Sequence, residues 1–429
     1  MDRTYIKDVK EKIGQDVKLE AWVHTIRDQG SIKFLLLRDI SGLMQGIILK
    51  TSESFKVSEG LTTESVVEIF GKVKEENQAP GGFEVEVQSI KVLSHADPNL
   101  PIPVVTEKGA EKVDITKRFD WRWIDLRKPE NQKIFKVWTS LEEGFRRFFL
   151  SEKYVQIYTP SFMNAPSEGG AEFFEANYFD KKAYLAQSPQ FYKQAAMAAG
   201  FEKVFMTGPV FRAEPSFTTR HMTEFTGWDF EISYTSDHHE VMDEHEKMII
   251  SGFKKVKKEI ITDLEVPISP FPRVTMKEAK EKLAMEGVKS EKDFDVSPEE
   301  ERKLCEIIKR EAGHDFVFLI DWPIEGRPFY HKHFDENDKI TKSYDLLYKG
   351  LEITTGAQRE HRVEVLESQA KEKGVDTKPL ENYFNFFRYG CPPHGGGGIG
   401  PARIIMQMLE LSSVKEATFL PRDVKRLTP

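Results

Sequence analysis

Four segments of the chain hold side chains whose types and spacing could do chemistry on anions. In the first, Val210-Phe211-Arg212-Ala213-Glu214 leads to Arg220-His221-Met222 and then to Glu224-Phe225. An arginine on an apolar strand is costly unless it meets an anion, so a strand arginine, a loop and then Arg-His could surround a polyphosphate. A surface Arg–Glu pair on a hairpin accounts for the same letters. The second segment runs Gly395-Gly396-Gly397-Gly398-Ile399-Gly400 and reaches Arg403. Glycine lets backbone approach a ligand closely, and a helix starting near Gly400 would offer unpaired N–H groups. A glycine run by itself is equally a flexible turn. In the third, residues 350–360, a period of two places Glu352 and Thr354 on one strand face, with Thr355 and Gln358 beyond its reach. A carboxylate and a hydroxyl beside phosphates could hold Mg2+, although a solvated glutamate on a threonine-rich strand is the plainer reading. The fourth joins Ser167-Glu168-Gly169-Gly170 to Gln187-Ser188-Pro189-Gln190-Phe191-Tyr192-Lys193. It suits a loop that closes over a small polar ligand, or else a loop and a helix start with Lys193 on a solvated face.

These segments need elements to hold them. Residues 1–100 read as all-β, with period-2 runs at 17–23, 33–39, 45–49, 65–73 and 83–93 and turn signals at Gln29-Gly30, Ser41-Gly42 and Ala79-Pro80-Gly81-Gly82. Short strands at that density suit a small closed barrel of the oligonucleotide-binding type, or another five-stranded barrel or sandwich. Residues 94–130, broken by Pro98, Pro101 and Pro103, read as a linker. Ile134, Trp138, Leu141, Phe145 and Phe148 then form one apolar stripe, a helix opened by Pro129 that should stop near Lys153. Strands and helices alternate in short pieces over 155–235. Residues 236–335, rich in Lys and Glu, look like an inserted helical unit, and strand-like runs return at 315–321 and 350–354 before a helix-like segment at 401–411.

Composition narrows the class. The chain has 429 residues with 62 basic and 70 acidic ones, a formal charge of −8, so charge balance gives no sign of a nucleic-acid partner. Its 31 Phe, 12 Tyr and 6 Trp exclude a disordered acidic chain. Cys305 and Cys391 alone exclude a disulfide scaffold and fit a reducing, cytoplasmic compartment. No uncharged apolar run is long enough for a membrane span, and the first residues, Met1-Asp2-Arg3-Thr4-Tyr5, lack the apolar stretch of a secretory signal.

Taken together, the four segments resemble the class II aminoacyl-tRNA synthetases, and within them the aspartyl-tRNA synthetases of archaeal type, across essentially the whole chain. Residues 211–225 look like the second class signature and 398–403 like the third. The long helix with Thr159-Pro160 resembles the first, a dimer motif, and the end of the chain, 421–429, is similar to the family's ending. The third signature departs from its usual form, with Ala402 after Pro401 where a glutamate is common. The resemblance implies an α+β chain: an anticodon-binding five-stranded barrel over 1–103, a hinge over 104–130, and a catalytic domain over 131–429 with an antiparallel sheet flanked by helices and an insertion at about 236–335. It implies ATP-dependent joining of L-aspartate to tRNA(Asp) through an aspartyl-adenylate, with Mg2+ as cofactor, in a cytoplasmic homodimer.

Residue roles follow from the same resemblance. Arg212 bridges the α-phosphate and the attacking carboxylate. Arg220 and His221 hold the terminal phosphates, and Arg403 and Phe225 sandwich the adenine. Glu214 reads its amino group, and Ala213, Met222, Gly400, Pro401 and Ala402 complete the ATP site. Glu352 and Thr355 are the implied Mg2+ ligands. Arg359 and Lys193 face the aspartate side chain, Glu168 and Asp229 its ammonium group, with Gln190, Phe191, Tyr192 and Thr355 around them. On the barrel, Phe34 is a candidate to stack on an anticodon base and Arg27, Gln45 and Glu84 to read base edges. His24 and Pro80 occupy the two positions that, in this family, go with charging of both tRNA(Asp) and tRNA(Asn), whose product a tRNA-dependent amidotransferase would consume. The rival readings are an asparaginyl-tRNA synthetase, which two cations in the pocket disfavour, a non-catalytic RNA-binding relative, and a tRNA-independent ligase of the asparagine synthetase kind.

Overall fold

A computed structural model describes residues 1–106, 109, 111–165, 173–215, 218–335 and 337–429. The chain divides into two compact units, Met1–Lys128 and Pro129–Pro429.

The first unit is built on five strands, β1 (Asp16–Asp28), β2 (Ile32–Asp39), β3 (Gly42–Leu49), β4 (Val66–Glu75) and β5 (Phe83–Ser94). They close into a barrel of order β1-β2-β3-β5-β4, with β3 and β5 parallel and the other pairs antiparallel. Alternation does the sorting: Val17, Leu19, Ala21 and Val23 point inward and meet Leu35, Leu37, Met44, Ile48, Val67, Ile69 and Val85 in one core. The alternation fails at one place. A bulge on β1 between Val23 and Thr25 leaves His24 over, and the ring is buried. The segment expected as a linker has structure of its own. Helices Ile115–Asp120 and Arg122–Asp125 follow it, Ile102, Val104 and Ile124 cluster, and the fully buried Arg122 pairs with Asp125 at 2.8 Å. The boundary between units falls after Lys128, at the end of the expected 104–130 hinge, so that segment belongs to the first unit.

The second unit opens with the helix Pro129–Ser151, which ends two residues short of Lys153, itself left-handed at φ 64°. Its sheet has eight strands in the order β12-β13-β16-β17-β18-β11-β10-β6. They are β6 (Val155–Gln156), β10 (Lys203–Phe211), β11 (Glu224–Ser233), β12 (Arg273–Thr275), β13 (Phe316–Ile320), β16 (Ser343–Tyr348), β17 (Leu351–Arg359) and β18 (His394–Ile399). Two small sheets lie outside it: β7 (Phe162–Met163), β8 (Glu175–Tyr178) and β9 (Lys181–Leu185), and the pair β14 (His333–Phe334) and β15 (Asn337–Thr341). The expected antiparallel sheet is antiparallel through its centre, while its two edge pairs, β12–β13 and β6–β10, run parallel. The glycine run expected as a loop is the central strand β18. Residues 236–335 are not a separate helical insert, because they include two strands of this sheet and the helix His238–Glu259 that packs against Pro129–Ser151. Those two helices cover one face of the sheet and meet at Gly144 and Gly252, where a Cβ on Gly144 would lie 2.6 Å from the Gly252 Cα. The other face carries the cleft described below.

Two buried histidines against this sheet, His245 on the helix beneath it and His394 at the start of β18, are held neutral. Burial, reinforced by Lys193 and Arg359, pushes His245 down to about 3, and burial pushes His394 down to about 4. An imidazole in the unfolded chain titrates at about 6.5, so between these values the unfolded state binds more protons and folding loses stability as pH falls. That contribution is complete above about 6.5 and is lost toward pH 4, at about 2 kcal/mol per histidine by pH 5. In urea denaturation at pH 7 and pH 5, His245→Gln should show a smaller drop between the two conditions than the unaltered chain. Equal drops would place the acid sensitivity elsewhere.

Candidate active site

The site begins with strand alternation on β11. Trp228 and Phe230 enter the apolar core under the sheet, so Asp229 and Glu231 emerge together on the opposite face. Opposite them on β18 stand Gly398 and Gly396. A Cβ at Gly396 would lie 2.1 Å from Glu231 Oε2, so the glycine vacates the space that a buried carboxylate fills. On the other face, Gly397 leaves room for the His245 ring in the same way. The helix Gln190–Ala198 crosses above and sends Gln190 and Lys193, one turn apart, toward these carboxylates.

A closed group of four charges results. Lys193 Nζ lies 2.8 Å from Asp229 Oδ2, 3.3 Å from Glu231 Oε2 and 3.2 Å from the Gly397 carbonyl. Arg359, on β17, donates Nε to Glu231 Oε1 at 3.0 Å and Nη2 to the Gly396 carbonyl at 2.9 Å. Burial opposes the ionised form of Glu231, but Arg359 and Lys193 outweigh it and hold the carboxyl below its ordinary range. Lys193 is 1% exposed, so the solvated-face reading is corrected; its ammonium donates to Asp229 and to the Gly397 carbonyl and is ion-paired with Glu231 Oε2, which accepts no hydrogen bond among the described residues. Arg359 Nη1 is without a hydrogen-bond partner among the described residues. Asp229 keeps Oδ1 beside its bond to Lys193.

Lys193, Asp229 and Arg359, with Glu231 fully buried beside them, line one end of a cavity of about 300 Å3. Its other end is lined by Arg212, Glu214, Arg220, His221, Met222, Phe225, Gly400, Ala402 and Arg403. Arg212 stands 5.5 Å over the Phe225 ring, on a face expected to meet adenine, and Arg403 donates Nη1 to the Glu352 carbonyl at 2.9 Å. Arg220 is bonded to Glu301, a residue of the helix Pro298–Ala312 that the sequence did not single out. Burial pushes the Glu301 carboxyl up to about 7, against the pull of Arg220. Burial and Arg403 lower His221, which bonds Thr218 through Nδ1. Ala213 and Pro401 fall outside the lining. So do Phe191 and Tyr192, because helical geometry turns them away from Gln190 and Lys193: Phe191 stacks on Tyr383 at 4.1 Å, and the Tyr192 hydroxyl reaches the Phe162 carbonyl. Glu168 lies outside the described residues.

Between the two ends lies a group of oxygens. Here simple alternation misleads. A bulge opposite Leu346 and Leu347 makes Ile353 an extra residue, so Glu352 shares its face with Thr355, at 3.5 Å, rather than with Thr354. Thr354 turns to the other face and bonds His245. Directly across from Thr355 on β16 is Asp345, whose Oδ1 is buried without a hydrogen-bond partner and whose Oδ2 is 2.8 Å from Arg327. Burial raises Asp345, whereas Glu352, opposed by burial too, is held low by Arg403, Arg212, Arg327 and Arg220. Elsewhere, Asp237, His238 and His239 also place donor atoms within 4.8 Å of one another. There Arg273 lies against His239 Nδ1 and Lys342 is 3.3 Å from Asp237, cations where an ion would need lone pairs.

On the barrel, Arg27 pairs with Phe34 across β1–β2 and Gln45 with Glu84 across β3–β5, all on the outer face. Gln45 Nε2 donates to Glu84 Oε2 at 2.8 Å. Pro80 is exposed at the start of a short 3-10 turn. His24 is not presented on that face. Its Nδ1 lies 2.7 Å from Arg38 Nη1, and Arg38 grips the buried Glu64 with both ends of its fork.

Two family models match this chain: one described as tRNA synthetases class II (D, K and N) over residues 114–424, the other as an OB-fold nucleic acid binding domain over 17–93. The chain belongs to the class II tRNA synthetases. It is 41% identical, over the full length of both, to the aspartate–tRNA(Asp/Asn) ligase of Archaeoglobus fulgidus, and 39% identical to the aspartate–tRNA(Asp) ligase of Pyrococcus furiosus over 99% of each. Among solved structures, an asparaginyl-tRNA synthetase of Pyrococcus horikoshii with asparaginyl-adenylate superposes with a TM-score of 0.92 at 31% identity, covering both chains entirely. An aspartyl-tRNA synthetase of Entamoeba histolytica follows at 0.88 and 33%, covering 100% of this chain and 93% of that one.

Sequence reasoning missed Glu231, Glu301, Arg327, His331 and Asp345 in this synthetase cleft. Glu231 was within reach, two residues past Asp229 on the same strand face. Because β18 must stay flat beneath the charges, Gly396→Ala should cost about 1–3 kcal/mol and abolish amino-acid-dependent pyrophosphate exchange. Gly208→Ala on β10, where a Cβ meets nothing within 4 Å, should leave both exchange and denaturation midpoint unchanged.

Proposed function

We propose that the chain is an aspartate–tRNA ligase that activates L-aspartate with ATP and transfers it to the 3′ end of tRNA(Asp), and also of tRNA(Asn). The observation that carries the amino-acid choice is the unpartnered Arg359 Nη1 at a pocket end whose other charges are already matched. Lys193 and Arg359 are balanced by Asp229 and Glu231, so net charge does not select the substrate. Hydrogen-bond polarity does. Arg359 Nη1 and the buried, unpartnered Gln190 Nε2 are donors, and a carboxylate only accepts, whereas the asparagine amide turns an NH2 toward one of them. Leaving such a buried donor unsatisfied costs about 1–3 kcal/mol, roughly one to two decades in affinity.

In activation, one oxygen of the substrate α-carboxylate attacks the α-phosphorus of ATP. A P–O bond forms, the α–β anhydride breaks, and pyrophosphate leaves. Two anions must approach each other, so alignment and charge neutralisation are the work to be done. Arg212, Arg220, His221 and Arg403 supply the cations, and Asp229 Oδ1 receives the α-ammonium. Glu352, Thr355 and the unpartnered Asp345 Oδ1 offer the hard oxygens that Mg2+ prefers. When bound, the ion would screen phosphate charge. In transfer, a ribose hydroxyl of the tRNA attacks the carbonyl carbon of the mixed anhydride, a phosphate oxygen accepts its proton, the bond from the acyl carbon to the phosphate oxygen breaks, and AMP departs as the ester forms.

An amino-acid panel in pyrophosphate exchange tests this reading. Aspartate alone should support exchange, and Arg359→Leu should remove it by at least about a hundredfold while ATP binding stays within about threefold. Preference for asparagine would instead favour the second reading, which the close superposition on the asparaginyl enzyme supports. His24, Pro80 and the Asp/Asn name of the Archaeoglobus relative support double tRNA specificity. Both tRNA(Asp) and tRNA(Asn) transcripts should then be charged with aspartate, and an uncharged tRNA(Asn) transcript would refute that part alone.

A further inference from the structure

We propose that His331 is a further specificity-determining residue, whose ring gives the substrate's side-chain carboxylate a second hydrogen-bond donor beside Arg359. The backbone fixes the pairing. His331 forms an isolated antiparallel bridge with Arg359, so the two side chains are direct cross-strand neighbours. Both line the cavity. The segment is clamped on either side: Gln369 donates to the His331 carbonyl at 2.9 Å, the His331 N–H reaches Pro328, and the Tyr330 ring stands edge-on at 5.3 Å.

The ring itself is 2% exposed and makes no hydrogen bond to the described residues. A polar side chain left so in a native interior calls for a reason. Its two nitrogens differ. Nδ1 is sealed off without a partner, whereas Nε2 is not sealed and so is the edge turned to the cavity. Burial, then Arg359, Arg327 and Lys193, hold the imidazole well below its usual range, so it carries a single proton. An orphaned acceptor is tolerated better than an orphaned N–H, which puts that proton on Nε2, facing the ligand. Arg359 Nη1 and His331 Nε2 then form two adjacent donors. One carboxylate satisfies both, but an amide satisfies one and opposes the other with its own N–H.

The inference rests on the aspartate reading above, and its test separates the two. Steady-state pyrophosphate exchange is measured on the full chain, on His331→Leu, which keeps bulk and removes the donor, and on His331→Gln, whose amide N–H can take the place of Nε2–H. His331→Leu should raise the KM for aspartate by about ten- to a hundredfold, as expected for losing a hydrogen bond to a charged group. It should leave the KM for ATP within about twofold, and His331→Gln should recover most of the loss. An unchanged aspartate KM in His331→Leu overturns the inference, as does an equal rise for ATP and aspartate or a failure of His331→Gln to recover. Absence of aspartate-dependent exchange in the unaltered chain would instead overturn the reading on which it rests.

Discussion

Two buried cations and two buried carboxylates must coexist on one face of a sheet, and much of the catalytic unit is arranged so that they can. Lys193, Arg359 and Glu231 are all buried, and leaving any one of them there without a partner would cost several kcal/mol. Their mutual pairing demands close approach, and close approach demands that the strand between them have no side chains. That is the physical content of the glycine run on β18. Its carbonyls accept from Lys193 and Arg359, so the strand completes the coordination of the charges it makes room for. On the opposite face the alternate glycine, Gly397, admits His245, which ties Tyr344 and Thr354 together beneath the cleft.

The phosphate end follows a looser plan. Its arginines belong to different segments and hold half-exposed partners: Arg212 with Glu214 at 3.7 Å, and Arg403 with Glu352 at 3.3 Å. Only Arg220 is anchored to a buried acid, Glu301. The helix that carries Glu301 lies within a stretch that composition alone marks off as separate. It belongs to the site through this contact and to the sheet through Leu304, Ile307 and Ile308, which pack on Val317 and Leu319.

What could be read from the sequence was whatever depends on period and on punctuation. The barrel was legible because its inward positions alternate cleanly, and the long helix because its apolar stripe is unbroken and Pro129 marks its start. Arg212 was legible as a charged group on an apolar strand, and Arg220, His221, Arg403 and Arg359 through the family's signatures. Illegible were the features set by neighbours remote in the chain. The glycine strand looks like a loop until the bulk of Glu231, Val241 and His245 is known to surround it. Lys193 looks solvated until β11 is placed beneath it. His24, named only for its family position, lies on a bulge and is buried against Arg38, a contact no local pattern announces. Asp345, Arg327 and His331 have no local signature at all, since each acquires its meaning only from the strand opposite.

The bulge at Ile353 separates two distances that are usually confused. Along the chain, Glu352 and Thr355 are three residues apart, but across the sheet they occupy consecutive positions on one face, opposite Leu347 and Asp345 respectively. Removal of the extra residue would return the strand to plain alternation and still leave that carboxylate and hydroxyl side by side. The three-residue count between these oxygens is therefore a property of the bulge and not a requirement of the pair they form.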